Sequence, residues 1–241
     1  MDSNENNKIF ISKETIKRLI KDVREIVKNP LNSHGIYYEH SKDDILSGQA
    51  LIIGPKNTPY ECGYYLFEFN FPNDYPHNPP VVKYHTNDGI TRFNPNLYKN
   101  GKVCISILNT WQGEQWTGCQ SISSVLLSLC TLLNDYPLCN EPGILKSNYN
   151  VENYNNIITF KNFKVAIMGM IKNVEIKKKF PELYEIMKNH FIDNIDKIVS
   201  LIDEKKISKK YFTIGIYNMH IYVDYTTLKE EMLNLHTDFL I

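Results

Sequence analysis

Between Gly35 and Lys83 apolar side chains recur at every second position, and no other feature constrains the fold as strongly. The runs Ile36-Tyr37-Tyr38, Ala50 to Ile53, Tyr64 to Phe71 and Val81-Val82-Lys83-Tyr84 predict four short strands, because a period of two is the spacing of side chains on one face of a sheet. Phe67, Phe69 and Phe71 alternate with Glu68 and Asn70, which predicts one buried and one wet face for the third strand. The connections are short and carry turn residues, Gly54-Pro55 and Asn57 to Pro59. An antiparallel meander is therefore expected rather than parallel crossovers.

Helical spacing brackets this region. Ile16, Leu19, Ile20, Val23 and Val27 predict a first helix from about Thr15 to Val27 with Ser12 as its N-cap and Asn29-Pro30 as its stop. Lys17, Lys21, Arg24 and Lys28 lie on the opposite stripe, as a solvated face or a docking surface; taken alone, the spacing favours the former. After Tyr84 the regular pattern stops for about 35 residues, a length that usually signals function. A helix from Ser121 follows, with Val125, Leu126, Leu129, Cys130 and Leu133 toward the core. Further helices are expected over Glu152 to Asn173 and Pro181 to Glu204, then a short extended piece around Phe212 to Tyr222 and a last helix from Thr226. Asn148 to Asn156 reads as a solvated, compositionally biased connection.

A chain of 241 residues can form one well-buried domain with an extension or two small domains. Its 27 basic and 27 acidic residues cancel, which argues against nucleic acid as a partner. No apolar run approaches the roughly 20 residues that cross a bilayer, and Met1 to Lys13 is polar, so no membrane partner and a cytoplasmic or nuclear location are expected. Five cysteines at irregular spacing, Cys62, Cys104, Cys119, Cys130 and Cys139, form no CxxC pair and argue against disulfides and a structural metal.

The irregular stretch contains Asn94-Pro95-Asn96-Leu97-Tyr98-Lys99-Asn100-Gly101-Lys102-Val103-Cys104-Ile105-Ser106-Ile107-Leu108. Asn100-Gly101 is a strong turn signal, since both residues tolerate positive φ; a reversal there brings Cys104 beside Asn96 to Tyr98. In a regular hairpin Asn96 and Cys104 would face opposite ways, so their cooperation requires an irregular arm at Pro95. Val103, Ile105 and Ile107 alternate with Cys104 and Ser106, which predicts an accessible sulfur on the side away from the core. A small hydrophobe filling space is the bland alternative. No histidine lies within the stretch. That suits acyl transfer better than peptide hydrolysis, because a thiol of ordinary pKa is already a few per cent ionised at neutral pH.

Tyr75-Pro76-His77-Asn78-Pro79-Pro80, Asn94-Pro95-Asn96, Gly101-Lys102-Val103-Cys104 and Trp116 ahead of the helix resemble, over roughly Lys17 to Asn173, the catalytic domain of ubiquitin-conjugating enzymes. The first run matches the family's YPxxPP, the second stands in place of its HPN, and the cysteine follows Asn96 by eight residues. Phe93 to Tyr98, the long loop Thr110 to Trp116, and Asn140-Glu141-Pro142-Gly143 are most similar to a subgroup whose C-terminal extension serves a non-standard activating enzyme. Weaker similarity at Asp224-Tyr225 and in the last helix carries the resemblance nearly to the end.

The resemblance implies an α/β (α+β) UBC-like fold with an N-terminal helix, a four-stranded antiparallel meander and C-terminal helices. It divides the chain into a conjugating domain, 1–173, and a mostly helical extension, 174–241. It also implies that Cys104 carries ubiquitin or a ubiquitin-like modifier as a thioester received from an activating enzyme. Asn96 would steady the oxyanion and order the loop, a turn-forming asparagine being the alternative. Tyr98 would shield the acceptor lysine and Glu141 orient it, although an exposed loop carboxylate explains Glu141 almost as well. Lys17, Arg18 and Lys21 correspond to the docking face for the activating enzyme.

The departures bear on partners. Asn94 replaces the motif's histidine, whose hydrogen bonding an amide can partly imitate. His77 stands where many relatives grip RING-type ligases with an apolar side chain, and Thr117-Gly118-Cys119 replaces Ser-Pro-Ala in the second gripping loop, so ordinary ligase partners are in question. No metal or organic cofactor is expected, since ATP is consumed upstream. Two rivals stand beside this reading: a non-catalytic ubiquitin-binding scaffold of the same fold, and a cysteine hydrolase pairing Cys104 with a distant histidine such as His85 or His220.

Overall fold

The computed structural model describes residues 11–205 and 209–239. The opening segment 1–10, most of the polar stretch Met1 to Lys13, lies outside them. Helix α1, Lys13–Lys28, starts where Ser12 Oγ accepts from the Thr15 amide at 3.0 Å. Its core stripe follows the expected apolar one only at Leu19 and Val23. Thr15, Leu19, Asp22 and Ile26 are buried, while Ile20 and Val27 are exposed. The cause is a polar group in a core position: Asp22 accepts from Tyr75 Oη at 2.5 Å and from Arg18 Nε at 2.9 Å, and apolar periodicity cannot reveal a paired carboxylate.

Strands β1 Ile36–His40, β2 Ser47–Ile53, β3 Tyr64–Asn70 and β4 Val81–Tyr84 pair antiparallel in chain order, as the period of two and the short connections predict. The register sets Ala50 opposite Phe67 and Phe67 opposite Tyr84. The wet face expected of β3 is absent along its first half, for Tyr64, Tyr65, Leu66 and Phe67 are all fully buried. Residues from the C-terminal half cover it. Tyr64 Oη meets His190 Nδ1 at 3.1 Å, Glu68 Oε2 accepts from Lys179 Nζ at 2.8 Å, and the His85 ring stands edge-on to Phe180.

Helix α2, Ile122–Leu132, is closed at its start by a capping box between Ser121 and Ser124 and turns Ile122, Val125, Leu126 and Leu129 into the core. Helix α3, Asn150–Lys161, widens through Asn162–Gly169 to i+5 bonding and ends as α4, Met170–Lys172. The solvated connection expected over Asn148 to Asn156 is thus mostly helix, fixed by Tyr154, which is buried and donates to Arg92 O at 2.6 Å. Asn162, buried at the start of the wide turn, explains part of that winding: its Oδ1 accepts from Tyr65 Oη at 2.6 Å and its Nδ2 donates to Glu61 O at 2.8 Å.

Helices α5 Val174–Lys179, α6 Pro181–Asp193 and α7 Ile195–Asp203 follow, the expected single helix over Pro181 to Glu204 being broken at Asn194. The extended piece is a two-stranded hairpin, β5 Lys209–Ile214 with β6 Met219–Asp224, and α8, Leu228–Thr237, closes the described chain. Phe180, Met187, Phe191, Ile198, Phe212 and Met219 join the same contiguous apolar core as the four-stranded sheet.

Candidate active site

The turn at Asn100-Gly101 forms as its chemistry predicts: Gly101 has φ +88, and its amide donates to Tyr98 O at 2.9 Å. The chain returns so that Cys104 N donates to Asn96 O at 2.9 Å, with Leu97 opposite Val103 as an isolated bridge. The arm at Pro95 is irregular, and Asn96 therefore points toward the cysteine. Its Nδ2 donates to the Cys104 carbonyl at 2.7 Å, while its Oδ1 is buried with no partner among the described residues.

Asn94 organises this arm from beneath. Fully buried, it donates through Nδ2 to Leu132 O at 2.8 Å and to Tyr60 Oη at 3.1 Å, and its Oδ1 accepts from the Asn96 amide at 3.0 Å. These bonds tie the segment to the end of α2 at Leu132 and to Tyr60.

The accessible sulfur expected at Cys104 is not found, for the residue is 2% exposed. The expectation assumed a regular strand, and the chain makes none. Lys102 and Val103 form single bridges to Lys83 and Leu97, and a 3-10 turn begins at Ser106. Thr110 folds back over this stretch; its Oγ1 accepts from Ile105 N at 3.0 Å and donates to Val103 O at 3.1 Å. Even so, Cys104 stands outside the contiguous apolar core that its neighbours Val103 and Ile105 join. Thr110 also lines an open groove of about 700 Å³ with Asn109, Trp111, Gln112, Gln115 and Pro142, so the loop that folds back over this stretch borders that groove.

Tyr98 and Glu141, distant in sequence, are brought toward the same arm by residues that the sequence did not single out. Arg92 lies with its guanidinium 3.3 Å from the Tyr98 ring centroid, and donates through Nε to Asn94 O at 3.1 Å and through Nη2 to Pro95 O at 2.6 Å. The Glu141 carboxylate accepts from Tyr217 Oη at 2.6 Å, and Tyr217 also lies 5.3 Å from Arg92 Cζ. Burial, then the adjacent carboxylate, push the Tyr217 phenol well up. Asn140, beside Glu141, donates to Asn94 Oδ1 at 3.4 Å. Arg92 could have been noticed as the one arginine next to the Phe93 to Tyr98 motif; nothing local marks Tyr217.

The residues expected to meet partners form a separate region. Lys17 and Lys21 are exposed on α1, whereas Arg18 is engaged with Asp22, Gly118 O and Gln120 O, so it braces the helix against the 117–120 loop. Thr117 and Gly118 are exposed on that loop, and His77 is exposed on the neighbouring one, 3.7 Å from Glu14. Trp116 joins the two loops by donating from Nε1 to Pro76 O at 2.7 Å.

Comparison with known proteins identifies the family. Residues 18–170 match the family described as "Ubiquitin-conjugating enzyme". This chain belongs to the ubiquitin-conjugating enzyme family. It is 41% identical over 189 residues to "Ubiquitin-conjugating enzyme E2 Z" of Danio rerio, covering 77% of this chain and 56% of the relative. The protein of the same name from Homo sapiens is 41% identical over 187 residues, covering 76% and 51%. "Probable ubiquitin-conjugating enzyme E2 R521" of Acanthamoeba polyphaga mimivirus is 35% identical over 196 residues, covering 76% of this chain and 13% of that protein. The chain thus spans little more than half the length of the E2 Z relatives. The α-helix, four-stranded antiparallel sheet and C-terminal helices are the UBC fold expected of the family.

Proposed function

We propose that this chain accepts ubiquitin or a ubiquitin-like modifier from an activating enzyme as a thioester on Cys104 and passes it to an amine. The observation that carries the reading is the reversal that sets Cys104 against Asn96 inside the family-matched region and outside the apolar core, under the Thr110 loop that borders a groove. In loading, the Cys104 sulfur replaces the sulfur of the activating enzyme at the modifier's terminal carbonyl. In discharge, the acceptor nitrogen forms the C–N bond and the C–S bond breaks. Of the two protons the ammonium gives up, one restores the thiol and one goes to solvent.

Asn96 serves this chemistry by holding the Cys104 carbonyl and so the attitude of the loop. With its second N–H it can meet charge developing on the thioester oxygen, where one placed donor is worth about 3 kcal/mol. An acceptor lysine is neutral only about 0.1% of the time at pH 7, and Tyr98 and Glu141 are the groups we assign to shield and orient it. Lys17 and Lys21 offer the charge for docking the activating enzyme, with Arg18 bracing the helix that presents them; His77, Thr117 and Gly118 form the face available to a ligase. A cytoplasmic or nuclear setting, where ATP and activating enzymes are found, completes the reading.

Mixing the full chain with ATP, ubiquitin and each of a panel of activating enzymes tests it. The expected product is an adduct cleaved by thiols, and Cys104→Ser should convert it to a thiol-resistant ester. A wild type that never charges, with any activating enzyme or modifier of the panel, would overturn the reading.

A further inference from the structure

Tyr217 occupies the tip of the β5–β6 hairpin, in the turn Gly215–Tyr217, where Asn218 closes the reversal in the left-handed conformation at φ +48. Hairpin tips usually project into solvent, and Ile216 next to it is 54% exposed. Tyr217 instead turns inward and makes polar or aromatic contacts in several directions. Its hydroxyl donates to Glu141 Oε2 at 2.6 Å, the length of a charge-assisted bond. Its carbonyl accepts from Lys99 Nζ at 3.1 Å. Its ring faces Arg92 and lies 6.0 Å from the ring of Tyr154. Met219, two residues on, receives the Arg92 amide on its sulfur at 3.2 Å. A tip anchored by one phenol hydrogen bond, a tyrosine ring, a lysine and an arginine is tied to the arm that carries Asn96.

We infer that Tyr217 is a positioning residue for the acceptor half of the reaction: from the C-terminal extension it fixes the Glu141 carboxylate and, through Arg92 between the two rings, steadies Tyr98. The inference rests on the proposed roles of Glu141 and Tyr98. Glu141 lies on an irregular segment whose own backbone bonds, such as Glu141 N to Leu138 O at 3.1 Å, fix the main chain but leave the carboxylate free to rotate. The phenol removes that freedom by holding one oxygen and leaves the other for an incoming ammonium or amine. Because orientation at a reacting centre changes rates steeply, the extension becomes part of the catalytic machinery.

Single-turnover experiments on the full chain separate the half-reactions. Charged protein, freed of ATP, is chased with free lysine or with hydroxylamine, a nucleophile already neutral at pH 7 and without need of an orienting acid. Tyr217→Phe should slow discharge to lysine by about tenfold or more, while charging and discharge to hydroxylamine change less than about twofold. Glu141→Gln should give the same selective deficit, and the double variant no further loss. A Tyr217→Phe protein that discharges to lysine normally while Glu141→Gln is slow would refute the inference and leave the role of Glu141 standing. Equal losses in charging, hydroxylamine and lysine discharge would reduce Tyr217 to a structural support. Normal lysine discharge by both single variants would remove Glu141 from the reaction and the inference with it. A wild type that cannot be charged sinks the conjugating reading itself.

Discussion

Among single residues outside the motifs, Arg92 couples several parts of the candidate site, since it binds two carbonyls of the Asn94 to Asn96 arm and stacks on Tyr98. Arg92→Met keeps much of the stem and loses the fork. We expect it to lower unfolding free energy by about 2 kcal/mol in urea titration, the range for hydrogen bonds from a charged group. Burial decides a second outcome. Cys119 is exposed and Cys104 is 2% exposed, so a bulky maleimide should label Cys119 first and Cys104 slowly in the native protein. Mass spectrometry of peptides after brief labelling would show it; Cys104 reacting first would mean that the Thr110 fold-back opens readily. The pairing of Asn96 with Cys104 was legible because one local turn creates it. Exposure of the sulfur was misread because alternation was assumed where the chain makes only isolated bridges.

For the secondary-structure elements, boundaries followed local signals and faces did not. Ser12 and Ser121 cap the helices they were expected to cap or begin, and the strands of the meander lie where the period of two put them. The buried side of α1 departs from the expected stripe beyond Leu19 and Val23 because Asp22, paired with Tyr75 and Arg18, sits in a core position. Asp22→Ala leaves those partners without their acceptor and should cost about 3 kcal/mol, with Asp22→Asn costing less. The second face of β3 was missed because its cover arrives more than a hundred residues later, from α5 and α6.

That cover makes the interface sensitive to acid. Burial lowers the pKa of His190, with Lys197 acting in the same direction and Asp193 opposing; burial likewise lowers that of His85 against the opposing bond to Glu68. Unfolded histidine titrates near 6.5, so the unfolded chain takes up protons first. Stability from these groups is therefore complete above about pH 6.5 and declines as pH falls through their lowered folded values. Urea midpoints should drop between pH 7 and pH 5, and His190→Phe should shallow that drop. A midpoint that is flat or rises over this interval contradicts the assignment.

On the scale of the whole molecule, the boundary expected near residue 173 crosses one contiguous apolar core. A protein ending at 173 would uncover Tyr64 and lose Lys179 from Glu68 and Tyr217 from Glu141, so it should aggregate or unfold non-cooperatively. Expression followed by size-exclusion chromatography and thermal melting checks this; a monomer with a sharp transition would show the extension to be detachable. The sequence could announce the conjugating fold because its motifs are short and contiguous. It could not announce the full site, which draws on residues 92–104, 141 and 217.

The position of Tyr217 also sets a timetable. A growing polypeptide emerging from a ribosome would present the thiol, its asparagine and Glu141 well before the hairpin tip exists. During that interval the carboxylate would swing unrestrained, and only the late arrival of one phenol would finish the acceptor side. In a newly made chain the acceptor side would thus be the last part of the candidate site to be assembled.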